Sequence, residues 1–255
     1  MLLVIDVGNT NMVFGLYEED ILKKSFRMTT VEGKTSDEIG VFMSSFMLHN
    51  SIEISAITDI IIASVVPNIM YSLTNAIRKY FGLVPMLVSP ELNLGNTLNL
   101  VGNRGLGADR IVNCVAAYTL LGGPVIIIDY GTATTYDAVD SNGAFVTGIT
   151  APGIKISADA LATRAALLGK VELLLPKSVL VTSTTESMQA GILFGRIGET
   201  EYIVSRIKKE MDAPDAKVVA TGGLAHTVAS GTDIFDCILP SLTLDGLRLI
   251  FNMNR

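Results

Sequence analysis

A short segment near the start of the chain recurs near its middle. Residues 4–11 read Val-Ile-Asp-Val-Gly-Asn-Thr-Asn, and residues 127–134 read Ile-Ile-Asp-Tyr-Gly-Thr-Ala-Thr. Each copy is an apolar run that ends in an Asp-x-Gly turn, and the Asp and Gly of the second copy lie 123 residues after their counterparts in the first. Because this spacing is about half of the 255 residues, the repeat predicts a duplicated domain.

Predicted strands and helices follow the same order in both halves of the chain. Apolar runs predict the strands, and apolar residues at 3.6-residue spacing predict the helices. The predicted strands lie at 2–7, 12–17, 21–28, 59–66 and 85–88, then at 125–129, 134–139, 145–149 and 217–220; the predicted helices begin near 36, 68, 111, 154, 186 and 241. Strands followed by helices in each half indicate two α/β domains, at residues 1–118 and 119–255, which face each other across a central cleft.

The composition favours a large buried core and excludes several classes of partner. Hydrophobic residues make up 49% of the chain and charged residues 17%. No apolar run reaches the ~18 residues of a membrane helix, and the first residues lack the basic region of a signal peptide. We therefore expect a cytoplasmic protein with no membrane partner. The net charge of −6 argues against nucleic acid as a partner, because nucleic-acid phosphates require a basic surface.

The first Asp-x-Gly turn has the residue types of a phosphate site. Gly8 permits the backbone to approach an anion closely, while Asn9, Thr10 and Asn11 add side-chain donors around the turn. Asp6 could hold Mg²⁺ directly or through water, because Mg²⁺ bound to a nucleotide takes few carboxylates. The alternative is a β-hairpin whose polar side chains only satisfy the turn. The repeat favours the functional interpretation.

The second turn repeats this chemistry. Asp129 offers a second carboxylate for a cation, and Thr132 matches Asn9 as a group that could bond phosphate. Threonines also occur in strands simply because of their β-propensity. Two turns of this kind, each with an acid at a strand end, predict a phosphotransferase.

A polar, glycine-rich stretch at 89–107 is predicted to be an active-site loop. It leads to a predicted helix start at Asp109 and Arg110. An Asp at a helix start is usually an N-cap. With Arg110 beside it, Asp109 could instead accept a hydroxyl proton while Arg110 binds a carboxylated substrate. Ser183 and Glu186 fit a capping box before another helix.

The glycine motifs elsewhere in the chain are less specific. The segment 221–225 (Thr-Gly-Gly-Leu-Ala) follows a strand and would permit close approach of a flat ring such as adenine, although Gly-Gly is also a common turn. The chain contains no G-x-x-x-x-G-K-[ST] segment, which excludes a P-loop kinase.

Taken in order, the segments 6–11, 107–110, 129–135 and 221–225 resemble those of the type III pantothenate kinases, a family of the acetate and sugar kinase/Hsp70/actin superfamily. Segments 64–67 (Ser-Val-Val-Pro) and 242–247 (Leu-Thr-Leu-Asp-Gly-Leu) match as well, so the resemblance spans the chain. It implies duplicated ribonuclease H-like, actin-like ATPase domains. It also implies phosphorylation of pantothenate by ATP to 4'-phosphopantothenate, the first step of coenzyme A biosynthesis, by a homodimer that needs Mg²⁺ and a monovalent cation, K⁺ or NH₄⁺.

The resemblance also implies roles for individual residues. Asp109 would be the general base, Asp129 would bind the monovalent cation, and Asp6 would hold Mg²⁺ through the phosphates. The residues that would bind ATP are Asp6, Val7, Gly8, Asn9, Thr10, Asn11, Met12, Val13 and Thr132, and those that would bind pantothenate are Gly107, Ala108, Asp109, Arg110 and Thr184. The helix after Thr184 has apolar residues, Ile192, Leu193 and Ile197, that could pack against a second subunit.

Two departures from the family pattern concern the substrate pocket. Residues 102–106 read Gly-Asn-Arg-Gly-Leu where the family commonly has Asn-Pro-x-Glu-Val, and Leu100 stands near a position that is often aromatic. Two other functions stay open at this point: another kinase or a phosphohydrolase on the same duplicated fold, and a non-catalytic accessory regulator of transcription. The presence of both Asp6 and Asp109 favours catalysis.

Overall fold

The structure is a computed structural model that describes residues 1–95 and 105–255. Its strands are β1 (Leu2–Val7), β2 (Asn11–Glu18), β3 (Ile21–Thr29), β4 (Asp59–Ser64), β5 (Met86–Leu87), β6 (Val125–Tyr130), β7 (Ala133–Val139), β8 (Phe145–Pro152), β9 (Lys217–Thr221) and β10 (Cys237–Ile238). Its α-helices are α1 (Ser36–His49), α2 (Pro67–Phe81), α3 (Ala108–Leu121), α4 (Ile154–Arg164), α5 (Thr184–Glu210), α6 (Ala225–Ala229) and α7 (Leu242–Asn254). Leu100 and most of the atypical 102–106 segment lie outside the described residues.

The chain divides into two compact units. The first contains Met1–Gly95, the described residues up to Ala116, and Thr243–Arg255; the second contains Ala117–Leu242. The change from one unit to the other therefore falls within α3, close to the predicted change at 118/119, while α7 belongs with the first unit rather than the second. The limits of the two functional domains stay a prediction.

Each unit is built on a five-stranded mixed sheet. The strand order is β3-β2-β1-β4-β5 in the first unit and β8-β7-β6-β9-β10 in the second. In each, the first three strands are antiparallel neighbours and the last two run parallel to the central strand. The same topology occurs twice, so the prediction of duplicated α/β domains is confirmed.

The residue types explain which strands are central. The central strands β1 and β6 are covered on both faces and are almost continuously apolar, as expected of strands with parallel neighbours. The edge strand β3 is instead mostly exposed and carries Lys23 and Lys24, which discourage pairing with another edge.

Helices cover each sheet and complete two separate cores. In the first unit, α1 buries Ile39, Met43 and Met47 against the sheet. Thr35 caps α1 in a reciprocal capping box with Glu38, which confirms the predicted helix start. In the second unit, α5 supplies the longest apolar face to the core that covers β6 and β7. The shortest helix and the shortest strand of this unit, α6 and β10, have no clear periodic signal in the sequence.

Candidate active site

The first glycine turn joins β1 to β2 and is closed by a hydrogen bond from the Gly8 N–H to the Asn11 carbonyl, at 3.1 Å. A Cβ atom at Gly8 would lie 3.2 Å from that carbonyl oxygen, so the backbone here is tightly folded. The side chains of Asn9 and Thr10 at its tip are exposed. The turn therefore offers polar side chains to a ligand from a backbone that is already fixed.

Thr30, just after β3, holds this turn from the side. Its hydroxyl donates to the Gly8 carbonyl at 2.7 Å, and its N–H donates to the Thr10 carbonyl at 3.0 Å. Both bonds engage turn carbonyls, which would repel a phosphate if they pointed at it. Sequence reasoning missed Thr30. The signal that could have found Thr30 is the pairing of β3 with β2. Thr29 pairs with Asn11, so the next residue, Thr30, lies beside the turn.

Asp6 lies at the carboxyl end of β1, where a ligand site is expected in an open α/β sheet. It pairs with Val13 of β2 and with Ala63 of β4. The chain then leaves β4 through Val65, whose N–H donates to the Val7 carbonyl at 3.1 Å. Val65 therefore continues the sheet alongside the end of β1.

The start of α3 lies next to this strand end. A Cβ atom at Gly107 would lie 3.4 Å from a methyl carbon of Val65 and 2.6 Å from Oδ1 of Asp109. The Asp109 carboxylate thus occupies the space that a side chain at position 107 would need. Through Val65, the structure brings the predicted general base and the first glycine turn to the same region of the first unit.

Asp109 does not cap α3. The Ile111 N–H donates to the Gly107 carbonyl at 3.1 Å, so Gly107 occupies the cap position and Asp109 lies inside the first turn. Its Oδ1 accepts the Arg110 N–H at 2.8 Å, and both side chains are half-buried. Asp109 is therefore not the N-cap residue, but its side chain accepts one of the N–H groups of the first turn, and a carboxylate there is stabilised by the helix dipole.

The second glycine turn joins β6 to β7 and is one residue shorter than the first. The Gly131 N–H donates to the Ala133 carbonyl at 3.0 Å. Asp129 lies at the end of β6, between Thr135 of β7 and Thr221 of β9, in the position that Asp6 has in the first sheet. The repeated carboxylate therefore lies at the same point of both sheets.

Gly222 and Gly153 pack directly against this second turn. Gly222 has a φ of +91°, and a Cβ atom there would lie 2.5 Å from Oδ1 of Asp129. A Cβ atom at Gly153, the residue before α4, would lie 2.0 Å from the Thr132 carbonyl oxygen. The approach of a flat ring to the glycines of segment 221–225 stays a prediction, and the structure shows in addition that Gly222 permits the approach of the Asp129 carboxylate.

Thr184 lies apart from the turns in sequence, as the first residue of α5. It is exposed and follows Ser183, whose hydroxyl accepts the Glu186 N–H at 3.2 Å. The predicted N-cap at Ser183 is confirmed, but the full capping box is not formed, because the Glu186 carboxylate does not accept the Ser183 backbone N–H. The Ser183 hydroxyl in turn donates to the Glu186 carboxylate at 2.8 Å. The cap leaves the Thr184 side chain in solvent.

A buried polar network lies beneath the second sheet. The hydroxyls of Tyr130 and Tyr136 both bond Thr200 of α5, at 2.9 and 3.1 Å. Tyr136 also donates to Glu199 at 3.2 Å. Burial raises the pKa of both tyrosines above the usual range, so their hydroxyls stay protonated at any physiological pH.

The donor set fits a magnesium ion that is held mainly by nucleotide. Among the described residues, no group of three or more His, Cys, Asp or Glu side chains could form a metal cage. Mg²⁺ in nucleotide enzymes takes one or two carboxylates and completes its shell with phosphate oxygens and waters. Asp6, near the end of β1 and two residues before Gly8, is a carboxylate suited to bind such an ion.

Comparison with known proteins decides the family. The sequence model of the type III pantothenate kinase family matches residues 2–206. A type III pantothenate kinase from Agathobacter rectalis is 49% identical over 251 residues, which cover 98% of this chain and 96% of the relative. The chain belongs to the type III pantothenate kinases. The resemblance noted in the sequence is thus confirmed, and so is the prediction of a kinase.

Solved structures support the fold of this family member. A Campylobacter jejuni protein described as a Baf family transcriptional activator has a TM-score of 0.61 and 21% identity, covering 98% of this chain and 97% of that one. MreB 5 of Spiroplasma citri, bound to AMPPNP, has a TM-score of 0.56 and 11% identity, covering 98% and 96%. Identities this low show the fold alone, and the fold is that of the actin-like ATPases.

None of the helices within the described ranges has the length and apolar content that a membrane span requires.

Proposed function

We propose that this chain transfers the γ-phosphoryl group of ATP to the primary hydroxyl of pantothenate, through its two glycine turns and the start of α3. The product is 4'-phosphopantothenate, and the reaction opens coenzyme A biosynthesis. The observation that carries the proposal is the proximity of Asp109 to the first turn through Val65, in a chain of this family. Phosphoryl transfer requires such a grouping of a base and a phosphate cradle, because catalysis rests on alignment and charge neutralisation.

The first turn would bind the ATP phosphates through residues 6–13. The tight backbone at Gly8 permits close approach, and the exposed side chains of Asn9 and Thr10 can donate to phosphate oxygens. Asp6 would hold Mg²⁺, directly or through water. When bound, Mg²⁺ neutralises charge on the β- and γ-phosphates.

Asp109 would act as the general base. Its carboxylate would orient the pantothenate hydroxyl in line with the γ-phosphorus and accept its proton as the new P–O bond forms. Arg110 would bind the pantothenate carboxylate, for which a guanidinium has matching geometry. Gly107, Ala108 and Thr184 would contribute further pantothenate contacts.

The second turn would also bind ligands. Thr132 would contact ATP, and Asp129 would bind the monovalent cation, K⁺ or NH₄⁺. Gly222 supports this assignment because it lets the backbone fold against the Asp129 carboxylate and fix its orientation. We also propose that the protein is a cytoplasmic homodimer, with no nucleic acid or membrane as partner.

The test is release of ADP by purified protein in the presence of ATP, Mg²⁺ and either K⁺ or Na⁺. Pantothenate, short-chain hydroxy acids and sugars are compared as acceptors, and mass spectrometry identifies the phosphorylated product. We expect ADP release with pantothenate in K⁺ and much less in Na⁺. Turnover with a sugar but not with pantothenate would overturn the substrate assignment.

A further inference from the structure

The residue of interest is Arg196, a buried arginine on α5 whose side chain is only 6% exposed. Its guanidinium donates to the Glu199 carboxylate and to the backbone carbonyl of Pro152. Glu199 also accepts the Tyr136 hydroxyl at 3.2 Å. The guanidinium thus connects α5 to the end of β8, and its charge partner connects α5 to β7.

Pro152 leads directly to the second glycine turn. It is the last residue of β8 and pairs with Ala133, the residue that accepts the Gly131 N–H to close the turn. Gly153 follows and packs so closely on the turn that a Cβ atom would lie 2.0 Å from the Thr132 carbonyl oxygen and 2.9 Å from that of Gly131. A shift of Pro152 would therefore move the backbone that supports Thr132.

The network around Arg196 is poorly optimised for stability. The Nε atom of Arg196 is buried without a hydrogen-bond partner, and so is Oγ1 of Thr134, the residue after Ala133 on β7. Unsatisfied buried polar atoms cost stability, and removing the Arg196 guanidinium from water costs more, because the side chain of its charge partner Glu199 is 36% exposed. Departures of this kind are expected where a residue serves the function of a site rather than the fold alone.

We propose that Arg196 is a positioning residue for the nucleotide and cation site at the second glycine turn. It fixes the Pro152 carbonyl, which holds Gly153 against Thr132 and keeps the turn in its binding conformation. This inference rests on the proposed function of the second turn and adds a residue to it. In the first unit, the corresponding support comes from Thr30, which bonds the first turn directly.

The experiment compares Arg196→Lys with a matched control, Arg248→Lys. Arg248 is also buried, pairs with one carboxylate, Asp20, and has an unpartnered Nε atom, but it lies on α7 in the first unit. For each variant we would measure the melting temperature, the Kd for ADP by calorimetry in K⁺ and in Na⁺, and the KM for pantothenate. The Kd measurement needs no turnover.

We expect both variants to melt at lower temperature than the wild type. Only Arg196→Lys should raise the Kd for ADP, by about tenfold, the lower end of the loss found when a residue that orients a metal ligand is removed. Its KM for pantothenate should stay unchanged. An unchanged Kd for ADP in folded Arg196→Lys, or an equal rise in both variants, would overturn the proposal.

A second variant covers the case in which Arg196→Lys does not fold. Tyr136→Phe removes the hydroxyl that donates to Glu199 and also bonds Thr200. It should raise the Kd for ADP in the same direction by a smaller factor. A wild-type Kd for this variant, with Arg196→Lys unfolded, would also overturn the proposal. If wild-type protein binds ADP equally in K⁺ and Na⁺, the cation role of Asp129 fails, while the comparison of ADP affinities still decides the role of Arg196.

Discussion

Three features of the structure limit the movement of Asp109. Its backbone lies in the first turn of α3, its Oδ1 accepts the Arg110 N–H, and Gly107 leaves the space that the carboxylate occupies. Because one carboxylate oxygen is held by the backbone, the other has a fixed direction. A fixed direction is what a general base needs, since proton transfer depends on geometry first and on the pKa second.

Replacement of Asp109 by Asn is expected to abolish turnover and leave both ligands bound. The Asn side chain keeps an Oδ1 that can accept the Arg110 N–H, so we expect a stability change of less than ~1 kcal/mol. It cannot accept the hydroxyl proton, so kcat should fall roughly 10²–10⁴-fold. Steady-state kinetics measures the rate, and calorimetry with pantothenate and a non-hydrolysable ATP analogue checks binding. A variant with near-normal kcat would show that Asp109 is not the base.

The role of Asp129 can be tested by removing its carboxylate or by crowding it. Asp129→Ala should lose the response to K⁺ and remain folded. Gly222→Ala should weaken the response to K⁺ and also lower the melting temperature, because its Cβ atom would lie 2.5 Å from Oδ1 of Asp129 and 2.7 Å from the Tyr130 backbone, at a φ of +91°. The matched control is Gly223→Ala, since nothing lies within 4 Å of a Cβ atom there. Activity is measured as K⁺ replaces Na⁺ at constant ionic strength. Full K⁺ stimulation in Asp129→Ala would contradict the assignment.

The two glycine turns are alike in topology but are supported by different elements. In the first, β3 supplies a hydroxyl from Thr30; in the second, the backbone at Gly153, after β8, takes that place. In the longer first turn, the carbonyls of Gly8 and Thr10 accept the hydroxyl and the N–H of Thr30. The shorter second turn instead makes close backbone contact, which only glycine permits at position 153.

Loss of the Thr30 hydroxyl should weaken ATP binding. Thr30→Val keeps the shape of the side chain but leaves the Gly8 carbonyl without its donor, at a cost of about 1 kcal/mol or slightly more. We expect a higher KM for ATP and an unchanged KM for pantothenate. Thr74→Val is the control, because its hydroxyl bonds only carbonyls of its own helix, α2. Equal ATP kinetics in the two variants would remove Thr30 from the site.

Most strands and helices could be predicted from the sequence because their apolar patterns are long and regular. The exceptions have physical causes. The two-residue β10 and five-residue α6 are too short for a period to be recognised. The start of α3 was placed too late, at 111, because Gly107, Ala108 and Asp109 carry no apolar signal. The supports at Thr30, Gly153 and Arg196 depend on contacts between residues far apart in the chain, which local patterns do not reveal.

At the scale of the whole molecule, the duplication could be predicted from the sequence because a motif is repeated. The return of the chain to the first unit, in α7, could not. In α7, Asp245 accepts the Tyr17 hydroxyl at 2.7 Å, and Gly246 lies against the Val112 carbonyl of α3. The sequence placed this helix in the second domain because it comes last. Its packing depends on contacts across 228 residues, and no local pattern encodes them.

The predicted dimer contact on α5 needs a correction. Ile192, Leu193 and Ile197, which were expected to face a second subunit, are buried in the core of their own unit. A partly apolar surface is exposed elsewhere in the second unit, where Tyr202 of α5 and Val146 and Ile149 of β8 line a groove of about 500 Å³ together with the Arg206–Glu210 ion pair. If the protein is a homodimer, this surface is the candidate for the contact.

Light scattering should therefore give a mass of twice 27.2 kDa for the wild type. Tyr202→Glu should shift the protein to the monomer, because Tyr202 is 62% exposed and the change replaces a ring that the contact would bury with a carboxylate, whose removal from water is costly even beside Arg206. Tyr71→Glu is the matched control, since Tyr71 is 78% exposed on α2 of the first unit and should leave the dimer intact. If pantothenate binding depends on the dimer, Tyr202→Glu should also raise the KM for pantothenate. A wild-type monomer with full activity would refute both the dimer and its role in substrate binding.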